Sequence, residues 1–297
     1  MATTHSFSGC GTALVTPFAK DGSLDEAALR TLVQRQIEGG IDFLVPCGTT
    51  GESPTLTREE HLRVVATTVE EARGKVPVLA GAGGYNTVEV IELAKAVQAA
   101  GADGLLSVTP YYNKPTQEGL FRHYEALASA VNIPIVVYSV QGRTGVNVEA
   151  GTVKRLAGLP NIVGIKEASG NLAQIGRICA EADAGFAVLS GDDALTLPIL
   201  ALGGHGLISV ASNVIPSEMT ELTRAGMQGD FAKCRELHRR YLGLMDILFV
   251  ESNPGPVKAA LAHLNLLEPV FRLPLVAPLS SNQSRIEGTL KSCGVSR

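Results

Sequence analysis

Pro134-Ile-Val-Val-Tyr-Ser-Val140 is an almost unbroken apolar segment, and Ile162-Val-Gly-Ile-Lys166 is a second one of the same kind. Segments that are apolar throughout, instead of alternating apolar with polar residues, are typical of parallel strands covered on both faces. Six more segments share this pattern and lie between stretches of helical periodicity: residues 11–17, 42–47, 76–80, 104–108, 187–190 and 206–210. About eight strand–helix units by residue 229 predict an α/β fold, the (β/α)8 TIM barrel. A doubly wound sheet, the structural alternative, would need fewer strands.

The rest of the chain, from Asp230, lacks the strand pattern. Three helices are predicted there, at residues 230–250, 256–264 and 281–293, with a proline-containing link at 268–278. We therefore expect a barrel that carries the active site in residues 1–229. A C-terminal helical extension, residues 230–297, is expected to pack on it.

Three sequence signals mark where helices of the barrel should begin. Ser23-Leu-Asp-Glu26 and Thr57-Arg-Glu-Glu60 match the capping box, in which a hydroxyl and a later carboxylate satisfy unpaired backbone N–H groups. Asn86 is expected to cap a third helix with its side chain.

Composition limits the function classes that are open to this chain. Its 297 residues are 45% hydrophobic and 18% charged, which supplies ample apolar surface for a core and excludes global disorder. The formal net charge is −4, and neither sign forms a block. Nucleic acid and membrane surfaces are therefore not expected partners, since both bind concentrated basic patches. No apolar stretch approaches the ~20 residues of a membrane helix.

The spacing of the cysteines and the first ten residues indicate the cellular compartment, and other motifs indicate whether a metal or a dinucleotide is bound. The cysteines at 10, 47, 179, 234 and 293 form no C-x-x-C pair, which fits free thiols in a reducing cytosol. The opening stretch MATTHSFSGC lacks the basic and apolar regions of a secretory signal. The histidines show no metal-ligand spacing, and residues 81–86 resemble a dinucleotide fingerprint but end in asparagine. We expect a cytoplasmic, soluble protein that uses no metal and no cofactor.

Two polar side chains interrupt the apolar segments near their carboxyl ends, where barrel active sites lie. Lys166 is either a strand-end lysine that reaches solvent or a Schiff-base lysine, because burial disfavours the ammonium form and leaves an amine free to attack a ketone. Tyr138 is either a core tyrosine with a hydrogen-bond partner or a proton shuttle. The residues alone leave both alternatives open.

Three loops that follow predicted strands carry further candidates. Gly48-Thr-Thr-Gly-Glu52 is either a turn before a helix or a site where backbone N–H groups and two hydroxyls bind a carboxylate. Thr109-Pro-Tyr-Tyr112 has adjacent tyrosines that are suited to packing on a neighbouring subunit. Gly142-Arg-Thr-Gly145 presents either a surface arginine or a bidentate ligand for a carboxylate.

In combination, these motifs resemble the dihydrodipicolinate synthase family, part of the N-acetylneuraminate lyase superfamily of aldolase-type barrels. The resemblance is carried by GTTGE at 48–52, TPYYNKP at 109–115, GRTG at 142–145, IKEAS at 165–169, GDD at 191–193 and GLISVAS at 206–212. It extends from about Thr12 to the C-terminal helices.

The resemblance implies a reaction and its catalytic residues. Lys166 would form an imine with pyruvate, and the derived enamine would attack L-aspartate 4-semialdehyde. The product would be 4-hydroxy-tetrahydrodipicolinate, on the route to diaminopimelate and lysine. Tyr138 and Thr50 would carry protons, joined by the partner subunit's Tyr112.

The resemblance also implies substrate contacts and an assembly. Thr49 and Thr50 would hold the pyruvate carboxylate, and Arg143 the carboxylate of the semialdehyde. Ile208 would place a backbone carbonyl near the lysine. Because a partner supplies one tyrosine, the implied assembly is a homotetramer built from tight dimers.

One motif departs from the family pattern, and two other functions remain open. The family usually has Y-N-V-P-x-R-T-G, whereas this chain has Tyr138-Ser-Val-Gln-Gly-Arg143 and lacks the proline at 141. A free φ at that position predicts a less rigid arginine loop. The alternative functions are a related lyase acting on N-acetylneuraminate or a 2-keto-3-deoxy sugar acid, and a catalytically silent pyruvate-binding regulator.

Some members of the family are inhibited by L-lysine at a cleft between dimer partners. The positions that match this cleft are Ser53, Pro54, Arg58, His61, Tyr85, Glu89 and Tyr111. Glu89 is suited to the α-ammonium of lysine and His61 to a hydrogen bond. Lysine-sensitive members often have histidine where this chain has Arg58, and asparagine where it has Tyr85. The seven positions are therefore compatible both with inhibition by L-lysine and with insensitivity to it.

Overall fold

Eight parallel strands form a barrel in the structure, a computed structural model that describes residues 7–183 and 185–295. The strands are β1 Gly9–Ala13, β2 Phe43–Val45, β3 Leu79–Gly81, β4 Gly104–Val108, β5 Ile135–Ser139, β6 Ile162–Glu167, β7 Ala187–Ser190 and β8 Gly206–Ser209. They pair in the order β2-β1-β8-β7-β6-β5-β4-β3, and a parallel bridge between Leu44 and Val78 joins the two ends. The predicted TIM barrel is confirmed. Residues 1–6, part of the stretch searched for a secretory signal, lie outside the described residues.

Helices connect the strands and continue beyond the last one. Those in the described residues are α1 Glu26–Glu38, α2 Arg58–Ala72, α3 Thr87–Ala99, α4 Gln117–Ala130, α5 Gln141–Thr144, α6 Ala150–Ala157, α7 Leu172–Glu181, α8 Thr196–Ala201, α9 Pro216–Met227, α10 Phe231–Ile247, α11 Gly255–His263 and α12 Ser280–Ser292. The last three helices lie close to the ranges predicted for the C-terminal extension. Within residues 7–183 and 185–295, no helix has the length and apolar character needed to cross a membrane.

The apolar core has an inner and an outer layer. Inside the barrel, the rings of Phe7 and Phe43 meet edge to face with centroids 5.7 Å apart. A Cβ on Gly11 would lie 2.1 Å from the Phe43 ring, so the glycine gives this ring its space. The outer layer, between sheet and helices, includes Tyr241 and Leu261 of the C-terminal helices. Aromatic rings therefore fill the amino-terminal end of the barrel, and the extension shares a core with it.

Two of the three predicted helix starts are confirmed. The Thr57 hydroxyl accepts from the Glu60 N–H at 3.2 Å, and the Glu60 carboxylate accepts from the Thr57 N–H at 3.0 Å, which completes the capping box of α2. The Asn86 side chain caps α3. These local signals are correct because the groups involved are only a few residues apart.

The capping box predicted at Ser23 is wrong. The side chain that accepts a backbone N–H at the start of α1 belongs to Asp25, and the Ser23 hydroxyl donates to Asp21 at 2.6 Å. A short-range pairing competes with the predicted cap, because an antiparallel bridge joins Phe18 to Leu24. This bridge holds residue 24 in extended backbone, so the helix starts later than the local pattern indicates.

Candidate active site

Lys166 and Tyr138 lie side by side at the carboxyl ends of adjacent strands. They are paired in the register of β5 and β6, and the two residues are 5% and 6% exposed. The Lys166 Nζ lies 4.2 Å from the centre of the Tyr138 ring. A Cβ on Gly191 would lie 2.6 Å from the Ala168 Cβ and 3.2 Å from the Lys166 Cε, so this glycine leaves room for both side chains. The structure therefore brings the predicted amine and phenol together.

The loop after β2 places its two threonines differently. Thr50 is 3% exposed, and its Oγ1 accepts a hydrogen bond from the Asn253 Nδ2 at 2.9 Å. Thr49 is half-buried and lines a cavity of about 120 Å³. The loop is held in place through Gly51, whose carbonyl accepts from the Thr16 hydroxyl at 2.6 Å. Of the two threonines, Thr49 is the one that lines this cavity.

The cavity joins predicted catalytic and predicted effector positions. Its lining includes Thr49, Tyr138, Ser53, Pro54, His61 and Tyr111. The His61 Nε2 lies 2.9 Å from the Gly81 carbonyl oxygen. A carbonyl oxygen only accepts, so His61 donates this bond through Nε2–H, and burial lowers the pKa of His61.

The other three effector positions lie outside the cavity. The Tyr85 ring meets the Tyr111 ring edge to face, with centroids 5.3 Å apart. Arg58 and Glu89 are exposed on neighbouring helices. The Arg58 Nη1 lies 3.7 Å from the Oε2 of Glu92, and the Glu89 carboxylate accepts from the asparagine that caps its own helix. Tyr85 therefore contacts a residue of the cavity wall, Tyr111, from outside the cavity.

Arg143 lies in α5, a single helical turn after β5. Its Nη2 donates to the backbone carbonyl of Asn253 at 3.2 Å, and its side chain is otherwise exposed. Gly145 ends the turn with a left-handed φ of 68°, and its N–H donates to the Gln141 carbonyl at 2.9 Å. The segment that lacks the family proline thus forms a hydrogen-bonded turn.

Two of the predicted site residues, Tyr112 and Ile208, differ strongly in their exposure to solvent. Tyr112 is 91% exposed, with a φ of 63° that is uncommon outside glycine. Ile208, on β8, is 1% exposed and belongs to the apolar cluster inside the barrel that also includes Tyr138. An exposed aromatic side chain beside the barrel mouth is a surface available to a second chain.

Sequence reasoning missed two residues of the C-terminal extension. Asn253 contacts both Thr50 and Arg143, across 203 and 110 positions of sequence. Lys258 is fully buried on α11, with its Nζ 2.5 Å from the Glu52 Oε1, and burial lowers the pKa of Lys258. A lone lysine inside an apolar helix was a usable signal for Lys258, whereas no local pattern singles out Asn253.

The site offers an amine, a phenol, two hydroxyls and a guanidinium. In residues 7–183 and 185–295 there is no group of three or more His, Cys, Asp or Glu side chains placed to hold a metal ion. The amine suits covalent catalysis through an imine, and the hydroxyls suit the transfer of protons. The hydrogen-bond donors suit the binding of substrate carboxylates.

Known proteins resemble this chain in sequence over nearly its whole length. The model of the dihydrodipicolinate synthetase family matches residues 6–293. The 4-hydroxy-tetrahydrodipicolinate synthase of Koribacter versatilis is 56% identical over 288 residues, covering 97% of this chain and 96% of that protein. The same enzyme from Chloroherpeton thalassium is 51% identical, covering 98% and 97%.

Solved structures agree with the sequence relatives. Dihydrodipicolinate synthase from Aquifex aeolicus superposes with a TM-score of 0.95 at 45% identity, covering 97% of this chain and 99% of that one. The enzyme from Thermotoga maritima gives 0.96 at 46% identity, covering 98% and 100%. The expectation from the sequence motifs is confirmed: this chain is an enzyme of the dihydrodipicolinate synthetase family.

Proposed function

We propose that the enzyme condenses pyruvate with L-aspartate 4-semialdehyde, and that Lys166 carries pyruvate as a Schiff base. The observation that carries this proposal is the buried amine beside a phenol, with the Lys166 Nζ 4.2 Å from the Tyr138 ring centre. Lysine amines form imines with ketones, and a neighbouring phenol exchanges protons with the reacting atoms. The full-length relatives are 4-hydroxy-tetrahydrodipicolinate synthases, which supports this substrate pair.

The reaction needs one amine and a route for protons. The Lys166 amine adds to C2 of pyruvate, and loss of water gives the imine. Loss of a proton from C3 gives the enamine, whose carbon bonds to the aldehyde carbon of the semialdehyde while the aldehyde oxygen takes up a proton. The amino group of the semialdehyde then attacks C2, closes the ring and releases Lys166. The product is 4-hydroxy-tetrahydrodipicolinate, a precursor of diaminopimelate and lysine.

The two threonines are assigned different tasks. The motif resemblance places the proton relay on Thr50, but one acceptor lone pair of that hydroxyl is already used by the Asn253 amide. Thr49 lines the cavity with Tyr138. We therefore assign the relay to Thr49, between Tyr138 and the partner subunit's Tyr112. The pyruvate carboxylate is assigned to the Thr50 hydroxyl and the N–H groups of its loop.

The second substrate is assigned to Arg143. Its Nη2 is held by the carbonyl of Asn253, which leaves the other guanidinium N–H groups for the semialdehyde carboxylate. Ile208, at the mouth-facing end of β8, is the proposed source of a backbone carbonyl near the lysine.

The proposed assembly is a homotetramer of tight dimers that works in the cytoplasm. Exposure of 91% and a positive φ at Tyr112 support a role for this side chain outside its own chain. A dimer partner would cover the ring and bring it to the relay. The cavity wall shared by His61 and Tyr111 with Tyr138 supports an effector site for L-lysine at the same interface.

A side-by-side assay tests this function. The enzyme is supplied with pyruvate plus aspartate semialdehyde, with N-acetylneuraminate, and with 2-keto-3-deoxygluconate. We expect condensation with the semialdehyde and no efficient cleavage of either sugar acid, since the relatives do not favour a sugar-acid lyase. Cleavage without condensation would reject the proposal, and so would pyruvate binding without any turnover, the behaviour of a silent regulator.

A further inference from the structure

We propose that Asn253 is a positioning residue for the pyruvate subsite, acting through Thr50 from the C-terminal extension. The inference rests on the proposed function, because it takes the Thr50 hydroxyl as a ligand of the pyruvate carboxylate. It gives the extension a part in substrate binding besides its packing against the barrel.

The first support is the direction of one buried hydrogen bond. Asn253 is 5% exposed, and its Nδ2 donates to the Thr50 Oγ1 at 2.9 Å. An amide N–H only donates, whereas a hydroxyl has one hydrogen and two acceptor lone pairs. Thr50 therefore accepts from Asn253, and its own hydrogen points elsewhere. The asparagine orients that hydrogen for an anion, which is what binding of a carboxylate requires.

The second support is that the side chain and the backbone of Asn253 contact different residues. The side chain of Asn253 holds Thr50, whereas its backbone carbonyl accepts from the Arg143 Nη2 at 3.2 Å. A side-chain substitution removes the first contact and keeps the second. If the residue acts as proposed, such a substitution weakens pyruvate binding and leaves binding of the semialdehyde nearly unchanged.

The third support is the Asn253 Oδ1, a buried hydrogen-bond acceptor whose presence is not explained by packing. The Asn253 Oδ1 is buried, and it has no hydrogen-bond partner among the described residues. Buried polar atoms in folded proteins are nearly always paired, and an unpaired one costs stability. An apolar residue of similar size would avoid that cost, so the benefit of asparagine lies in what its amide nitrogen does for Thr50.

Asn253→Ala and Asn253→Asp test the proposal, with Ser252→Ala as the matched control on the adjacent, exposed position. Two quantities are measured: the pyruvate concentration that gives half-maximal trapping by borohydride, and KM for each substrate. Loss of one neutral hydrogen bond predicts an increase of about fivefold in the pyruvate values of Asn253→Ala. Asn253→Asp is expected to have a larger effect, because a carboxylate takes the Thr50 hydrogen and repels the substrate anion. KM for the semialdehyde and all values of Ser252→Ala should stay near those of the unmodified enzyme.

The substrate that is affected separates positioning from packing. A purely structural role predicts that both variants raise KM for both substrates together as Tm falls, and that result would overturn the inference. In a Thr50→Val background, Asn253→Ala is expected to have no further effect, whereas additive effects would also overturn it. If the unmodified enzyme traps no pyruvate on Lys166, the proposed function itself fails. Normal trapping with unchanged pyruvate values in both variants rejects the inference alone.

Discussion

Replacing Lys258 by methionine is expected to destabilise the protein strongly. The Lys258 Nζ lies 2.5 Å from the Glu52 Oε1, and both side chains are 0% exposed. Among the described residues, the other donor to the Glu52 carboxylate is the backbone N–H of Arg272, at 3.5 Å. Lys258→Met therefore leaves a buried carboxylate with little compensation, a change that costs about 3–5 kcal/mol.

Thermal unfolding measures this cost. At roughly 2–4 °C per kcal/mol for domains of 150–250 residues, Tm should fall by about 6–20 °C. The double variant Glu52→Gln, Lys258→Met removes both charges and should recover most of the loss, because replacing a buried pair by uncharged residues is often nearly neutral. Lys20→Met is the matched control, since the Lys20 side chain is 82% exposed and 3.6 Å from Glu268.

The same variant tests whether the extension supports the substrate loop. Glu52 ends the loop that carries Thr49 and Thr50, so Lys258→Met should also lower kcat/KM, and Lys20→Met should not. An unchanged Tm in Lys258→Met, or a double variant as unstable as the single one, would refute the reasoning.

Three further changes have expected outcomes. Thr49→Val should lower kcat with little change in KM for pyruvate, and Thr50→Val should raise KM for pyruvate; steady-state kinetics showing the reverse pattern would return the relay to Thr50. Hydrogen bonds from Arg272 lower the pKa of Glu60 from 4.5 to about 2, so the stability this carboxylate contributes is complete above pH 4.5 and is lost as the pH falls toward 2. Glu60→Gln should flatten Tm against pH in that window, and an unaltered curve would contradict the assignment. L-lysine in the millimolar range should inhibit at saturating substrates, because four of the seven effector positions line a cavity together with Tyr138; an unchanged rate, or equal inhibition of Glu89→Ala, would remove that cleft as the effector site.

The barrel and its central pair could be predicted because their signals are local. Parallel strands buried on both faces are apolar throughout, so the segments ending at Tyr138 and Lys166 are readable without knowledge of their neighbours. Consecutive strands of a barrel are adjacent, which places these two side chains together once the fold is known. The capping box at Thr57 is likewise complete within four consecutive residues.

The remainder depends on contacts that are distant in sequence. Asn253 contacts Thr50 across 203 positions of sequence, and Lys258 contacts Glu52 across 206 positions. No local pattern predicts such contacts. Two adjacent threonines in a loop carry no local signal for which of them lines the cavity, and in the structure it is Thr49. The capping motif at residue 23 fails for a different reason, because a short-range bridge between Phe18 and Leu24 competes with the start of the helix.

Trapping of pyruvate by sodium borohydride tests the central claim most directly. Reduction of an imine fixes pyruvate on the amine that formed it, and intact mass followed by peptide mapping locates the adduct. Lys258 is an internal comparison, because it is also buried but is enclosed with Glu52 at 0% exposure. We predict one adduct per chain on Lys166, and none in Lys166→Arg, which keeps the positive charge but forms no imine. An unmodified chain, or an adduct on Lys258 or any other lysine, would contradict the account.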